Sequence, residues 1–486
     1  MRYIIFITYF FLLGGYAQGQ ITFINYYSDN GADLGQGIIQ LEDSSYIITG
    51  SSSSFGEAPA QAFLMQIDSL GNYMWSKSYG GAGSESGRRV LYKEGFGYYV
   101  CGYTNSFGAG GFDFYLAKID ESTDLEWEKS FGGSGWERVN DAAITRDTGT
   151  VMVGETSSNA TDNMDIYIVR TNKLGDTVWT KTIGAAGDDR ANCIFQFTDS
   201  TYLIGGEYFV DSALTKGYMT YLHEDGTVYW ESIFGVNGNY WVNDIVLDID
   251  PTKVVGIGGG EGPLTNENDA YLFLMQTDGT YWGGYHPSLN GQLEYTQATN
   301  FGSMGDVYIA ASLINDTGFE FGEDVTINKY NSSLGFEGSF GMSHNYPDVT
   351  GDIIRTSDGG AIVVGYSTGV VSGGNEITVA KIGPGDSYPD ISSGGVSHNV
   401  VVVDELDFED LISVYPNPSS GLFNVYAEKN VFSEFNVIDN QGRLIKSGDF
   451  NNEMIFDLSN EPRGVYFIKL MGTKVSPVQL KVLIQE

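Results

Sequence analysis

Between residues 139 and 184 the chain alternates apolar and polar positions in short runs broken by turn residues. "VNDAAITR" alternates weakly and "DTG" turns it. "TVMVGETS" is rich in β-branched residues, "SNATDN" is polar, and "DIYIVRTN" alternates with period two. "KLGD" turns again, and "TVWTKTIG" is a fourth alternating run. Period-two alternation bounded by Gly, Asp and Asn predicts half-buried strands rather than helices. This stretch therefore predicts four strands joined by tight turns.

The pattern returns at a fixed interval. Trp75, Trp127, Trp179, Trp230 and Trp282 are spaced 52, 52, 51 and 52. Gly80, Gly132, Gly184 and Gly235 keep the same beat, as do Gly50, Gly102, Gly154 and Gly206. Gly258 continues that second glycine column, Ala310 stands in it next, and Gly365 closes it after a slip of three. "KSYGGAGSE" from Lys77, "KSFGGSGWE" from Lys129 and "KTIGAAGDD" from Lys181 are copies of one connection. A four-stranded sheet cannot bury both faces alone, so repeated sheets stack radially. The fold class expected is all-β: a seven-bladed β-propeller over residues 20–392, followed by a small immunoglobulin-like β-sandwich. The units start near Tyr27, Tyr79, Phe131, Ile183, Phe234, Tyr285 and Phe340. The seventh has "EITVAKIG" as a third strand but only turn-rich "PGDSYPDISSGG" after it. Ile21–Tyr27, ahead of the first unit, is expected to supply the missing strand and remove an exposed edge. The Trp column is expected to fill gaps between blades.

The ends of the chain have other compositions. "MRYIIFITYFFLLGGYAQGQ" has one Arg, a short apolar run and then small residues, the layout of a signal peptide over residues 1–19. No later stretch reaches transmembrane length. Residues 393–408 read as a linker. Residues 409–486 alternate strands with Asn, Gly and Pro turns, a small sandwich by pattern.

Two resemblances rest on these residues. "GGSGWERVNDAAITRDTGTVMVGETS" is similar to the repeat of bacterial seven-bladed propellers, and the likeness runs from Ile21 to about Pro389. It implies a fold and no activity. The tail resembles the type A C-terminal sorting domain of the type IX secretion system. The matching positions are Tyr415, Pro416, Asn417 and Pro418 in "VYPNP", Gly421 in "GLFNV", and Gly442 and Arg443 in "DNQGRLI". Gly464 and Tyr466 in "GVYFIKL" and the closing "LKVLI" complete the set. The resemblance implies the type IX machinery as partner and passage across the outer membrane. Removal of the tail would follow, with the cargo secreted or held at the cell surface.

The formal charge of −37 makes nucleic acid a poor partner. Four histidines in unrelated positions and no P-loop, nucleophile elbow or paired-Cys motif leave no catalytic or metal residue to name. Asp68, Gly71 and Trp75 are too widely spaced for the Asp-box of sialidase-like propellers. No cofactor is expected. Calcium stays open because "GGSGWERVND" and "GAAGDDRANC" echo glycine-aspartate loops, without their strict tandem. Cys101 and Cys193 fall in non-adjacent blades, so two free, buried thiols are expected.

Binding residues are sought where each unit enters its inner strand. Counting 13 back from the second glycine column gives Gly37, Arg89, Asp141, Cys193, Gln297 and Asp352; one residue earlier stand Gln36, Arg88, Asn140 and Asn192, with Asn243 in the fifth unit. Such a ring at one mouth of the channel suits a ligand, or equally strand capping and channel water. The same face should carry the long loops between second and third strands, with Phe55, Phe107, Tyr208, Phe209, Phe319 and Phe321 offering exposed rings. The function expected is non-catalytic: an exported binding or adhesion module for a glycan or a surface protein. The alternatives are a propeller-type carbohydrate-active enzyme and a structural surface protein.

Overall fold

The computed structural model describes residues 23–485 apart from 29–30, 56–58, 160–162, 185, 199–200, 212–213, 236–237, 248–252, 262–267, 286–291, 300–306, 315–322, 331–335, 343–347, 369–373, 384–398, 403–411, 416–418, 428–431, 440–442, 452 and 472–477. The signal peptide, Phe319, Phe321, Pro416, Asn417, Pro418 and Gly442 lie outside the described residues.

Seven sheets form the blades of a propeller, each with four antiparallel strands and the last with a fifth strand added. Their inner strands are Asp33–Gln40, Glu85–Lys93, Glu137–Ile144, Arg190–Thr198, Tyr240–Leu247, Gln292–Thr299 and Asp348–Arg355. Each inner strand touches the next, and the seventh touches the first, so the ring is closed. Closure uses the chain's beginning. Phe23–Ser28 pairs antiparallel with Asn375–Ile382 and is the outer strand of blade seven. Asn25 Nδ2 and the Tyr27 hydroxyl each donate to the Gly71 carbonyl of blade one at 2.7 Å, latching the seam. Asn399–Val402, within the stretch read as linker, then pairs in parallel with Phe23–Ser28.

A bulge recurs in every inner strand. The register shifts at Gly35/Gly37, Gly87/Arg89, Val139/Asp141, Ala191/Cys193, Val242/Asp244, Leu293/Tyr295 and Thr350/Asp352. One residue per blade is therefore left out of the ladder and re-aimed. The glycine column has its cause here. A Cβ at Gly50, Gly102 or Gly154 would lie 1.7–1.9 Å from the carbonyl oxygen of Leu34, Ser86 or Arg138 on the bulged strand. In blade six Leu293 pairs with Leu313, so Leu313, not Ala310, holds the column position. The slip of three thus falls between blades five and six, and Tyr295 rather than Gln297 is the counterpart of Asp141.

The acid that ends each repeated connection braces it. The Gly81 and Gly133 amides donate to Glu85 and Glu137 Oε2 at 3.0 and 2.9 Å. The Thr104 and Thr156 hydroxyls donate to the Oε1 of the same acids at 2.6 and 2.5 Å. The Trp column lies on the outer strands and fills the rim between blades. Trp127, Trp179 and Trp230 lie against Gly175, Gly226 and Gly279 in the hairpin turns of the following blades. Phe23, 52 positions before Trp75, covers Gly71 in the same way across the seam. Trp282 is 62% exposed and carries Lys253 over its ring. Cys101 and Cys193 are buried and free.

Residues from Ile412 onward build a separate sandwich of a three-stranded and a four-stranded sheet. Phe423, Phe435, Val437, Phe456 and Ile468 are among its core residues. Tyr415 pairs with Asn424, and Arg443 Nε meets Asp439 at 3.1 Å. Gly421 adopts φ +108° within contact of the Ser459 backbone, a position closed to a Cβ. The buried Tyr466 donates its hydroxyl to the Pro462 carbonyl at 2.5 Å, a tyrosine corner.

Gly154→Ala is expected to lower stability by about 3 kcal/mol, because backbone must move to admit a methyl group. Thermal unfolding measures it, and a variant as stable as the parent removes the bulge as the reason for the column.

Candidate functional site

The bulges set what faces the channel. An unpaired residue cannot follow the pleat, so its side chain turns from the blade interior toward the axis. Gln36, Arg88, Asn140, Asn192 and Asn243 are the bulged residues of blades one to five. Arg89, Asp141, Asp244 and Asp352 follow their bulges. All nine line one cavity of about 830 Å³. Eight of the eleven residues picked from the sequence are thus brought together. Gly37 and Cys193 are not in the lining, the Gln297 side chain lies outside the described ones, and Asp244 is the member the count missed. Blade five carries one more residue between bulge and column glycine, so counting back from Gly258 lands on Ile245 instead.

The ring also ties blades to one another. Asn140 Nδ2 donates to the Ala191 carbonyl, and Asn192 Nδ2 to the Val242 carbonyl, both at 3.0 Å. Asp141 accepts from the Ala142 amide of its own blade at 2.8 Å and the Ile194 amide of the next at 2.9 Å. Asp352 repeats this with the Ile353 and Ile38 amides at 2.9 and 3.1 Å. Arg89 joins the two acids across the ring, its Nε 3.1 Å from Asp141 and its Nη1 2.8 Å from Asp352. The carboxylates of Asp352 and Asp141 hold the Arg89 proton more firmly than usual, against the opposing pull of burial. Burial pushes the Asp141 carboxyl up, with Arg89 and the two amides opposing.

Asp244 lacks such a partner. It accepts the Ile245 amide at 2.7 Å. Burial first, then the neighbouring Asp141, push its carboxyl up to about 8. At neutral pH this is a protonated acid on the channel wall. Among the described residues no group of three or more His, Cys, Asp or Glu is placed to hold a metal ion.

The cavity does not open onto the face expected. Besides the bulge ring, its wall is made of Ile39, Gln40, Phe195, Val246 and residues 353–357 and 359. These lie toward the hairpins joining first and second strands, opposite the loops between second and third strands. The described aromatic rings of those loops are not free either. Phe55 is fully buried, edge-to-face with Phe63. Phe107 packs against a blade core, Tyr208 stacks on Tyr218, and Phe209 lies over Gly187. Among the described residues Trp136 does protrude on that face, 45% exposed, backed by Phe112 at 5.2 Å and flanked by Arg138 at 5.4 Å. Its sequence signal is that it falls off the 52-residue beat, inside "GGSGWER".

Fold and site define a closed seven-bladed β-propeller with a polar channel, joined to a second, separate sandwich. The sandwich places the chain's export: residues 413–485 match the secretion system C-terminal sorting domain. This is a type IX sorting domain, and the protein is directed to the cell surface or medium by that machinery. No helix among the described residues is long and apolar enough to cross a membrane. A search of curated proteins finds no match. Among solved structures, the extracellular domain of a protein assigned as a hybrid two-component system from B. thetaiotaomicron is similar at TM-score 0.41 and 10% identity. The match covers 96% of this chain and 58% of that one, so the chain spans under two thirds of its length. Sqt1 from Chaetomium thermophilum matches at TM-score 0.41 and 10% identity, over 96% and 99% of the two chains. The β-propeller domain of the Trilobed protease from Pyrococcus furiosus matches at 0.39 and 8%, over 75% and 95%.

The pH dependence of stability follows from Asp244. Between its unfolded pKa near 4 and its folded value of about 8, the folded state holds a proton that the unfolded chain has released. Stability contributed by this group is full below that window and falls as pH rises through it. Asp244→Asn is expected to flatten the decline and raise the melting temperature at pH 8. Melting curves from pH 4 to 9 test this, and parallel curves for variant and parent refute it.

Proposed function

We propose that this protein is an exported, non-catalytic binding propeller that presents its channel and loop faces to a glycan or a surface protein. The observation that carries the reading is the state of the channel's chemistry. Asp141 and Asp352 are engaged by Arg89 and backbone amides, so they serve as braces rather than free bases. Apart from Asp244, what remains along the wall is mostly carboxamides, guanidinium groups and apolar surface, which suit recognition better than proton transfer. Trp136 adds a flat ring on the opposite face, where a sugar or a protein can stack. Calcium remains a candidate co-ligand.

One observation favours a second reading, a carbohydrate-active enzyme. A carboxyl raised to about 8 in a cavity is what a general acid requires, and Asp244 is such a group. The binding reading predicts no turnover of aryl glycosides by the parent protein. Turnover that disappears in Asp244→Asn would replace it.

The reading is tested by glycan-array binding of the full chain with calcium and with chelator. A specific set of glycans is expected. Loss of the signal in chelator makes calcium part of the site. A blank in both buffers rejects the glycan and leaves a protein partner, to be sought by cell-surface pull-down. Deletion of residues 413–485 is expected to keep the protein from the surface and medium without unfolding the propeller, which fractionation and melting curves will show.

A further inference from the structure

Three arginines and three aspartates line the channel, but they are not matched pair by pair: among the described residues Asp244 is in no ion pair. Arg89 has its two carboxylates. Arg88 and Arg355 line the same cavity, yet among the described residues neither has an ion-pair or hydrogen-bond partner. The Nη1 group of Arg355 is buried with no acceptor at all. A guanidinium N–H in that position forfeits its hydrogen bond to water and gains none from protein, a cost that native structures avoid unless an acceptor arrives. The chain is strongly acidic, with a net charge of −37, and has acids to spare for pairing. Two unpaired arginines in this cavity are therefore a feature of the cavity and not of composition.

The rest of the wall indicates what the acceptor is attached to. Gln36, Asn140, Asn192 and Asn243 supply carboxamide oxygens and N–H groups of the kind that meet hydroxyls. Ile194, Phe195, Ile245 and Val246 supply an apolar side. A planar guanidinium matches a carboxylate with two parallel hydrogen bonds. From these residues we infer that the channel binds the carboxylate of a small sugar acid, with Arg88 and Arg355 as its cationic contacts. The inference rests on the binding-module reading and names a ligand class for the channel.

The test is calorimetric titration of the full chain with glucuronate, glucose and inorganic sulfate. Glucuronate is expected to bind once per chain and glucose at least tenfold more weakly. Arg88→Gln and Arg355→Gln are each expected to weaken glucuronate about tenfold, the effect of one charge-assisted contact. Arg355→Lys, which keeps the charge but loses the fork, should fall between. This conservative variant, with melting curves for all three, separates lost recognition from lost folding. Glucose binding as tightly as glucuronate overturns the inference, because the charge is then not read. Sulfate binding as tightly as glucuronate overturns it as well, because the sugar is then not read. Unchanged glucuronate affinity in both Gln variants removes the arginines from the site. Array hits that persist while glucuronate fails to bind would refute this ligand and leave the binding-module reading standing.

Discussion

The structure depends on one extra residue in each inner strand. A regular inner strand would keep its side chains alternating between the two blade faces, and the channel would be lined by whatever that alternation supplied. The bulge breaks the alternation at one level in all seven blades and, in blades one to five, turns a side chain toward the axis. It also draws the bulged strand's carbonyl against the neighbouring strand, which excludes a Cβ and accounts for the glycines at Gly50, Gly102 and Gly154. The most regular signal in the sequence is thus the imprint of an irregularity in the backbone.

The residue after each bulge then decides how the ring is held. Aspartate suits that place because one carboxylate reaches the next amide of its own strand and the equivalent amide of the following blade, as Asp141 and Asp352 do. Two such acids facing one channel would repel, and Arg89 offsets this by bridging them. Asp244 takes the same position outside any described ion pair, and burial, then the nearby Asp141, push its carboxyl up against a weaker pull from Arg89. One geometry therefore yields an ion-paired brace in two blades and a carboxyl pushed further up in a third, where burial is not offset by an ion pair.

The blade count, the seam and the tail were legible in the sequence because each is written in spacing or in local pattern. Ile21–Tyr27 stood ahead of the first unit with a strand pattern and no partner, while the seventh unit lacked an outer strand. The bulge was not legible, since a two-against-one register leaves no mark in alternation this short. Counting from the glycines still found most of the ring, because the count is constant in blades one to four and seven. It failed where the interval changed. Blade five is one residue longer and hid Asp244; in blade six the column position lies three residues later and the interval from ring residue to column is five residues longer, which together pointed to Gln297 in place of Tyr295. Phe55 misled for a different reason. A loop aromatic in a polar stretch reads as exposed, but the turn after Ser52 folds the ring back onto Phe63.

The two ends of the channel are unequal in kind. At the hairpin end the wall is concave, with guanidinium, carboxamide and apolar groups facing one space. At the loop end the prominent feature is convex: Trp136, propped by Phe112 and Arg138. A concave site selects a group small enough to enter, whereas a projecting ring engages an extended surface. A single protein can use both, capturing a terminal group at one face while the other rests against a larger body.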